Sequence, residues 1–137
     1  TPLNIISALG EFDLDPCGEL DHKTAKKIYC SEGLEKDWFG NVWLNPPYSE
    51  VGKWLDRLSI HNYGIALVFA RLETKLAQRI IPQTKSVFFP SGRISFLNKD
   101  KQKTGNAGAP SMFLSFGYIP NWEKLGKGLI WDMRGEL

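Results

Sequence analysis

Val42-Trp43-Leu44-Asn45-Pro46-Pro47-Tyr48 is the stretch on which the reading of the chain turns. Three apolar residues in a row predict a short buried strand. The character then changes to an amide, two prolines and an aromatic ring. Pro46 has no N–H for a sheet ladder, and it turns Asn45 away from helical geometry. The strand therefore stops at Leu44 and leaves Asn45 at its carboxyl end. Open α/β sheets bind ligands at that edge. A preorganised amide and carbonyl beside a flat ring suit a planar nitrogenous base. They accept hydrogen bonds from an exocyclic amine while the ring stacks on the base face. The same residues also read as a plain proline turn with Tyr48 half in the core, and their surroundings decide between the two.

Downstream, Ser49 is placed to cap a helix, and Val51, Trp54, Leu55 and Leu58 fall at helical spacing. Gly64 precedes Ile65-Ala66-Leu67-Val68-Phe69-Ala70, the most strand-like run in the chain. Strand, helix, strand predicts a right-handed crossover with a parallel pair. Arg71 and Thr74 then fall on the same edge as Asn45. Leu76, Ile80 and Ile81 predict another helix, ended by Pro82. Runs at 86–89 and 93–97 are β-like, with a turn at Pro90-Ser91-Gly92 between them. Residues 98–110 carry Lys99, Lys101 and Lys103, followed by Gly105 and Gly108, a basic loop that is either solvated or set against phosphates. Residues 111–116 read as a final strand, and 118–137 as either a helix or added strands.

Upstream, Thr1 is placed as N-cap and Pro2 as first residue of a helix whose apolar face is Leu3, Ile5, Ile6 and Leu9, with Gly10 as its stop. The free N–H groups at its start could hold a carboxylate. Phe12 and Leu14 alternate with polar residues as in a short strand, which Asp15-Pro16 breaks. Such an Asp starts a turn or receives an amino or hydroxyl group of a ligand. Residues 21–29 are basic and read as a surface helix or loop. Trp38 and Phe39 serve equally as core anchors or as an aromatic wall.

At 137 residues, 42% hydrophobic and 23% charged, the chain is expected to form one domain over 1–137. A net charge of +2 permits an anionic partner without requiring one. No apolar run reaches membrane-spanning length, no signal-peptide pattern opens the sequence, and a start at Thr1 fits a fragment or processed product. Cys17 and Cys30 are expected to be free thiols. With His22 they match no common zinc spacing, so no metal site is expected.

Taken together, these residues resemble the phage-type DNA N-6-adenine methyltransferase family. The matching pieces are Thr1-Pro2, the run from Phe12 through Asp15-Pro16-Cys17, Gly33-Leu34 and Asp37-Trp38. After them come the Asn-Pro-Pro-Tyr tetrad, Trp54, Arg71 with Thr74, and Gly92-Arg93-Ile94-Ser95-Phe96. The resemblance implies an α/β chain with a reduced Rossmann-like methyltransferase fold, its mixed, mostly parallel sheet flanked by helices. It implies S-adenosylmethionine as cofactor, adenine in DNA as acceptor, and the cytoplasm of a bacterial host cell as the place of work. Asn45, Pro46, Pro47 and Tyr48 would be catalytic. Thr1, Pro2, Asp15, Pro16 and Cys17 would hold the amino acid end of the cofactor, and Asp37 and Trp38 its adenosine. Arg71, Thr74, Arg93, Lys99, Lys101 and Lys103 are expected on the nucleic acid.

The chain departs from the family pattern in two ways. Only Gly18 follows Asp15-Pro16-Cys17 where a glycine-rich turn is usual, and the span from Asp15 to Asn45 is too short for two strand–helix units. Nor is a separate DNA-recognition domain visible. Specificity then comes from loops such as 98–110, from residues missing here, or from a second subunit, which leaves a homodimer open. Two other readings stand beside the first. One is a catalytically inactive nucleic-acid-binding module of the same fold. The other is an amino-methyltransferase acting on RNA or on protein glutamine.

Overall fold

The computed structural model describes residues 2–91 and 110–132. In chain order they form helix α1 (Leu3–Leu9), strands β1 (Leu14–Asp15), β2 (Lys27–Ile28) and β3 (Val42–Leu44), helix α2 (Val51–His61), strand β4 (Gly64–Phe69), helix α3 (Lys75–Ile80), and strands β5 (Ser86–Pro90), β6 (Ser111–Phe116) and β7 (Gly128–Asp132). The strands make one seven-stranded sheet in the order β2-β1-β3-β4-β6-β5-β7.

The sheet is mixed and flanked by helices, as expected, but it is parallel in only one half. β2, β1, β3 and β4 pair in parallel. The pairings β4–β6, β6–β5 and β5–β7 are all antiparallel. The cause is the way the chain returns from β5. It re-enters the sheet at Pro110, whose carbonyl accepts from Ala70 N–H at 2.6 Å just past the end of β4. β6 must then run backwards between β4 and β5.

Both faces of the sheet are covered, which is why Val42, Trp43 and Leu44 are all buried. Trp43 faces a core with Ile6 of α1, Ile65, Phe88, Phe113 and Trp122. Val42 and Leu44 face the other core, with Leu55 and Leu58 of α2 and Ile80 of α3. Trp122 stacks on Phe88 at 5.6 Å and 9°, and its indole N–H donates to Ser86 Oγ at 2.9 Å.

Several local expectations need correction. Pro2 is the N-cap of α1 in extended geometry, not its first helical residue. Ser49 does not cap α2: a 3-10 turn, Tyr48–Glu50, leads into it, and Glu50 stands at the N-cap without a side-chain bond. Phe12 and Leu14 serve opposite cores rather than one face, because Phe12 lies outside the regular strand. Residues 21–29 contain no helix. Their end is drawn into strand β2, with Tyr29 N–H donating to the Asp15 carbonyl at 2.9 Å. The ambiguous tail supplies a 3-10 turn, Trp122–Leu125, and then the edge strand β7. The β-like run at 93–97 and the basic loop, apart from Pro110, lie outside the described residues.

Candidate active site

After β1 the chain adds β2 on one side, and β3 then appears on the other. The strand order therefore turns round between β1 and β3, where a crevice opens beyond the carboxyl ends of open sheets. Asp15-Pro16-Cys17 leaves β1 and Asn45 leaves β3 at that point. The two ends touch: the Cys17 thiol donates to the Asn45 carbonyl at 3.5 Å.

Asp15 shapes this turn from inside. It is buried, and its carboxylate accepts from Cys17 N–H at 3.1 Å and from the Thr24 hydroxyl. Burial raises its pKa above the usual carboxylate value, against the lowering effect of those two bonds. The folded protein thus holds this proton more readily than the unfolded chain, and the site costs stability as pH rises through the window above the ordinary value. The stability of wild type relative to Asp15→Asn is expected to rise as pH falls from about 7 to about 4. Urea unfolding of both proteins at each pH checks this, and a flat or falling difference contradicts it.

Burial, with the Asp15 charge adding to it, pushes the Cys17 thiol up to about 12. It therefore stays a neutral donor to Asn45, while Cys30 is exposed and both are free. Maleimide at neutral pH is expected to label one thiol per native chain, at Cys30, and Cys17 only after unfolding. Mass analysis of the labelled peptides reads this directly, and fast native labelling of Cys17 counts against the buried turn.

Gly33 packs under the same turn: a Cβ placed on it falls 1.8 Å from the Pro16 carbonyl oxygen. Its own carbonyl accepts from Trp38 Nε1 at 2.8 Å. Trp38 stacks on Trp54 at 6.2 Å, and Arg57 caps Trp38 at 5.0 Å. Arg57 also donates to the carbonyls of Leu34 and Lys36 at 2.7 and 2.9 Å. The segment before β3 is thus clamped to α2. Trp54 Nε1 is buried with no hydrogen-bond partner among the described residues.

On the α2 side of Asn45 lies a cavity of about 500 Å³, lined by Asn45, Pro46, Tyr48, Phe69, Arg71 and Thr74 at the sheet edge. Its walls are apolar: Val51 and Leu55 from α2, Ile80 from α3, and Met112 and Leu114 from β6. Tyr48 is 58% exposed and meets Phe69 at 5.1 Å. The Arg71 guanidinium stands 5.6 Å from both rings. Thr74 is the N-cap of α3, its hydroxyl accepting from Ala77 N–H at 3.1 Å and donating to the Arg71 carbonyl at 2.9 Å. Asp56 on α2 pairs with Arg79 on α3 at the outer rim.

The cavity brings together Asn45, Pro46, Tyr48, Arg71 and Thr74. Asp15, Pro16 and Cys17 are next to it across the Cys17–Asn45 contact, and exposed Pro47 joins Asn45 to the 3-10 turn. Asp37 and Trp38 do not line it. Asp37 is exposed, with its carbonyl accepting from the Tyr29 hydroxyl at 2.7 Å, and Trp38 is a core anchor. Pro2 stands at the start of α1, which packs on the opposite face of the sheet. Thr1, Arg93, Lys99, Lys101 and Lys103 lie outside the described residues. Sequence reasoning missed Thr24, Arg57 and Phe69. Nothing local marks them, since each acts across a gap in sequence that only the fold closes.

A family model described as DNA N-6-adenine-methyltransferase (Dam) matches residues 1–120. The chain belongs to the DNA N-6-adenine-methyltransferase (Dam) family. A protein named DNA N-6-adenine-methyltransferase from Escherichia phage T1 is 40% identical over 57 residues, which cover 36% of this chain and 24% of that relative. The chain therefore aligns with less than two thirds of the relative's length. No solved structure matches this Dam-family chain. Among its described residues, no helix is long and apolar enough to cross a membrane, and no cluster of His, Cys, Asp and Glu could hold a metal ion.

Proposed function

We propose that this chain transfers a methyl group from S-adenosylmethionine to the 6-amino group of adenine in DNA, within the cytoplasm of a host cell. The observation that carries this reading is the Asn45-Pro46 edge on the wall of an apolar cavity with room for a base, with the exposed Tyr48 ring lining it, in a Dam-family chain. The reversal of strand order between β1 and β3, with a turn at the carboxyl end of each, supports a reduced Rossmann-like methyltransferase fold.

The residues at the turn fit the cofactor. Its amino acid end needs polar backbone and its adenosine needs a flat apolar wall with donors. The Asp15–Cys17 turn offers the first, at the edge where it meets Asn45. Trp54 packs behind Gly33, its buried Nε1 without a hydrogen-bond partner among the described residues. Asp15 contributes through the turn it holds, Pro16 and Cys17 through backbone, and Asp37 and Trp38 from the clamped segment beyond Gly33. When bound, S-adenosylmethionine supplies an electrophilic methyl group on a sulfonium sulfur.

The chain's own residues do the rest by positioning. Asn45 Oδ1 and the Pro46 carbonyl accept the two hydrogens of the adenine amine. This draws the nitrogen lone pair out of conjugation with the ring and stabilises the positive charge that develops as the methyl is taken up, until the surplus amine proton passes to water. Pro46 and Pro47 fix the backbone in advance, so little reorganisation is needed. Tyr48 stacks on the extruded base. Arg71 stands ready for the flanking phosphates, and Thr74 sets the turn that carries it. Arg93, Lys99, Lys101 and Lys103 belong to the chain between Ser91 and Pro110 and extend that electrostatic contact.

The test is titration of the protein with S-adenosylhomocysteine, followed by transfer of labelled methyl to mixed DNA, RNA and glutamine peptides. One-to-one binding and label on adenine in DNA support the reading. No binding in a folded chain favours the inactive module, and label on RNA or peptide alone moves the substrate class.

A further inference from the structure

Tyr48 belongs to a 3-10 turn with no side-chain cap, so its own backbone does little to fix its ring. Two neighbours do that work. Phe69, the last residue of β4, meets the ring at 5.1 Å with a tilt of 52°. Arg71 then covers both rings, its guanidinium 5.6 Å from each centroid. Phe69 is half-buried, and its strand is paired with β6 along its whole length, from Gly64↔Phe116 to Phe69↔Ser111. A ring held by a central strand is the rigid partner, and the ring on the turn is the one that needs holding.

We propose that Phe69 is a positioning residue for the methyl transfer, fixing the plane of Tyr48 so that the stacked adenine presents its amine to Asn45 and Pro46. Arg71 holds the pair together through its contact with both rings. This rests on the function proposed above and names the group that sets its base geometry. A stacked base follows the plane of the ring beneath it. Transfer needs the amine nitrogen, methyl carbon and sulfur in line, and a swing of the ring carries the nitrogen off that line. The tilted pair and the cation over both rings are each favourable contacts in their own right. Their effect on the reaction passes through Tyr48.

A double-mutant cycle in the full chain tests this, with Phe69→Leu, Tyr48→Ala and the pair assayed for kcat and KM on DNA. Tyr48→Ala is expected to lower kcat/KM by roughly 5- to 150-fold, the range of a lost base stack. Phe69→Leu is expected to lower it about fivefold, the loss falling in kcat more than in KM. Phe69→Tyr keeps the ring and is expected to stay near wild type. The double variant is expected to match Tyr48→Ala alone, since Phe69 has nothing left to position. Binding of S-adenosylhomocysteine is expected to be unchanged in all four, which confirms that each is folded. Multiplying losses in the cycle, or failure of Phe69→Tyr to rescue, overturns the positioning role while wild-type activity stands. A wild type inactive on DNA removes the proposed function and this inference with it.

Discussion

Asn45→Ala is expected to give a folded, cofactor-binding protein that no longer methylates DNA. The side chain sits at the end of β3, half-buried on the cavity wall, and it is no part of either core. Its backbone carbonyl, which receives the Cys17 thiol, survives the substitution. Fold and turn should therefore persist, with a urea midpoint close to wild type. What is lost, on the proposed chemistry, is the acceptor for the amine as it becomes positive. Losing one preorganised polar group of this kind costs about a hundred- to a thousandfold in kcat. Because the prolines let no other backbone group move in, the upper end of that range or beyond is expected. Asn45→Asp keeps an acceptor at the same reach and should retain measurable transfer. The measurement is single-turnover methyl transfer beside titration with S-adenosylhomocysteine. Full activity in Asn45→Ala would sink the proposed chemistry, and loss of cofactor binding would place Asn45 in the turn rather than in the reaction.

That result bears on how much of the site was legible from residue order. The end of β3 was readable because proline chemistry is local: Pro46 cannot extend a ladder, so Asn45 had to stand at an edge. The crossover from β3 through α2 to β4 was readable for a similar reason, since the apolar spacing in 51–58 and the run before Ala70 each have one period. Strand β2 was not. Two residues of a lysine-rich segment carry no periodic signal, and they pair only because Asp13 and Asp15 offer carbonyls to Lys27 and Tyr29 N–H groups. The antiparallel half was hidden too, because the insertion of β6 between β4 and β5 depends on where a long connection re-enters the sheet. Tyr48 was visible as a ring at an edge. Phe69 was not visible as its neighbour, for 21 positions separate them and only the parallel pairing of β3 with β4 brings their ends together.

Gly33→Ala is expected to be the most damaging single methyl group added to this site. A Cβ there falls 1.8 Å from the Pro16 carbonyl oxygen, 2.8 Å from its carbon and 3.1 Å from the Trp54 ring. None of these can step aside cheaply. Pro16 belongs to a turn fixed by Asp15 on Cys17 N–H and by Gly18 N–H on the Tyr29 carbonyl at 3.1 Å. The Gly33 side is fixed as well, by Trp38 Nε1 on its carbonyl and by Arg57 on the next one. Overpacking against side chains typically costs about 1–3 kcal/mol. Here the obstacle is backbone pinned from both sides, so about 3 kcal/mol or more is expected. Relief comes only by parting the turn from the segment before β3, which moves Cys17 away from Asn45. Binding of S-adenosylhomocysteine should therefore fall with stability. Gly52→Ala is the matched control: Gly52 lies in the first turn of α2, its Cβ meets nothing closer than Leu76 of α3 at 3.7 Å, and no loss of stability is expected. Urea unfolding and cofactor titration of both variants read the contrast. A Gly33→Ala protein as stable as wild type, and binding as tightly, would mean that the turn is not clamped and that the Asp15–Cys17 edge owes its shape to something other than the packing of Gly33.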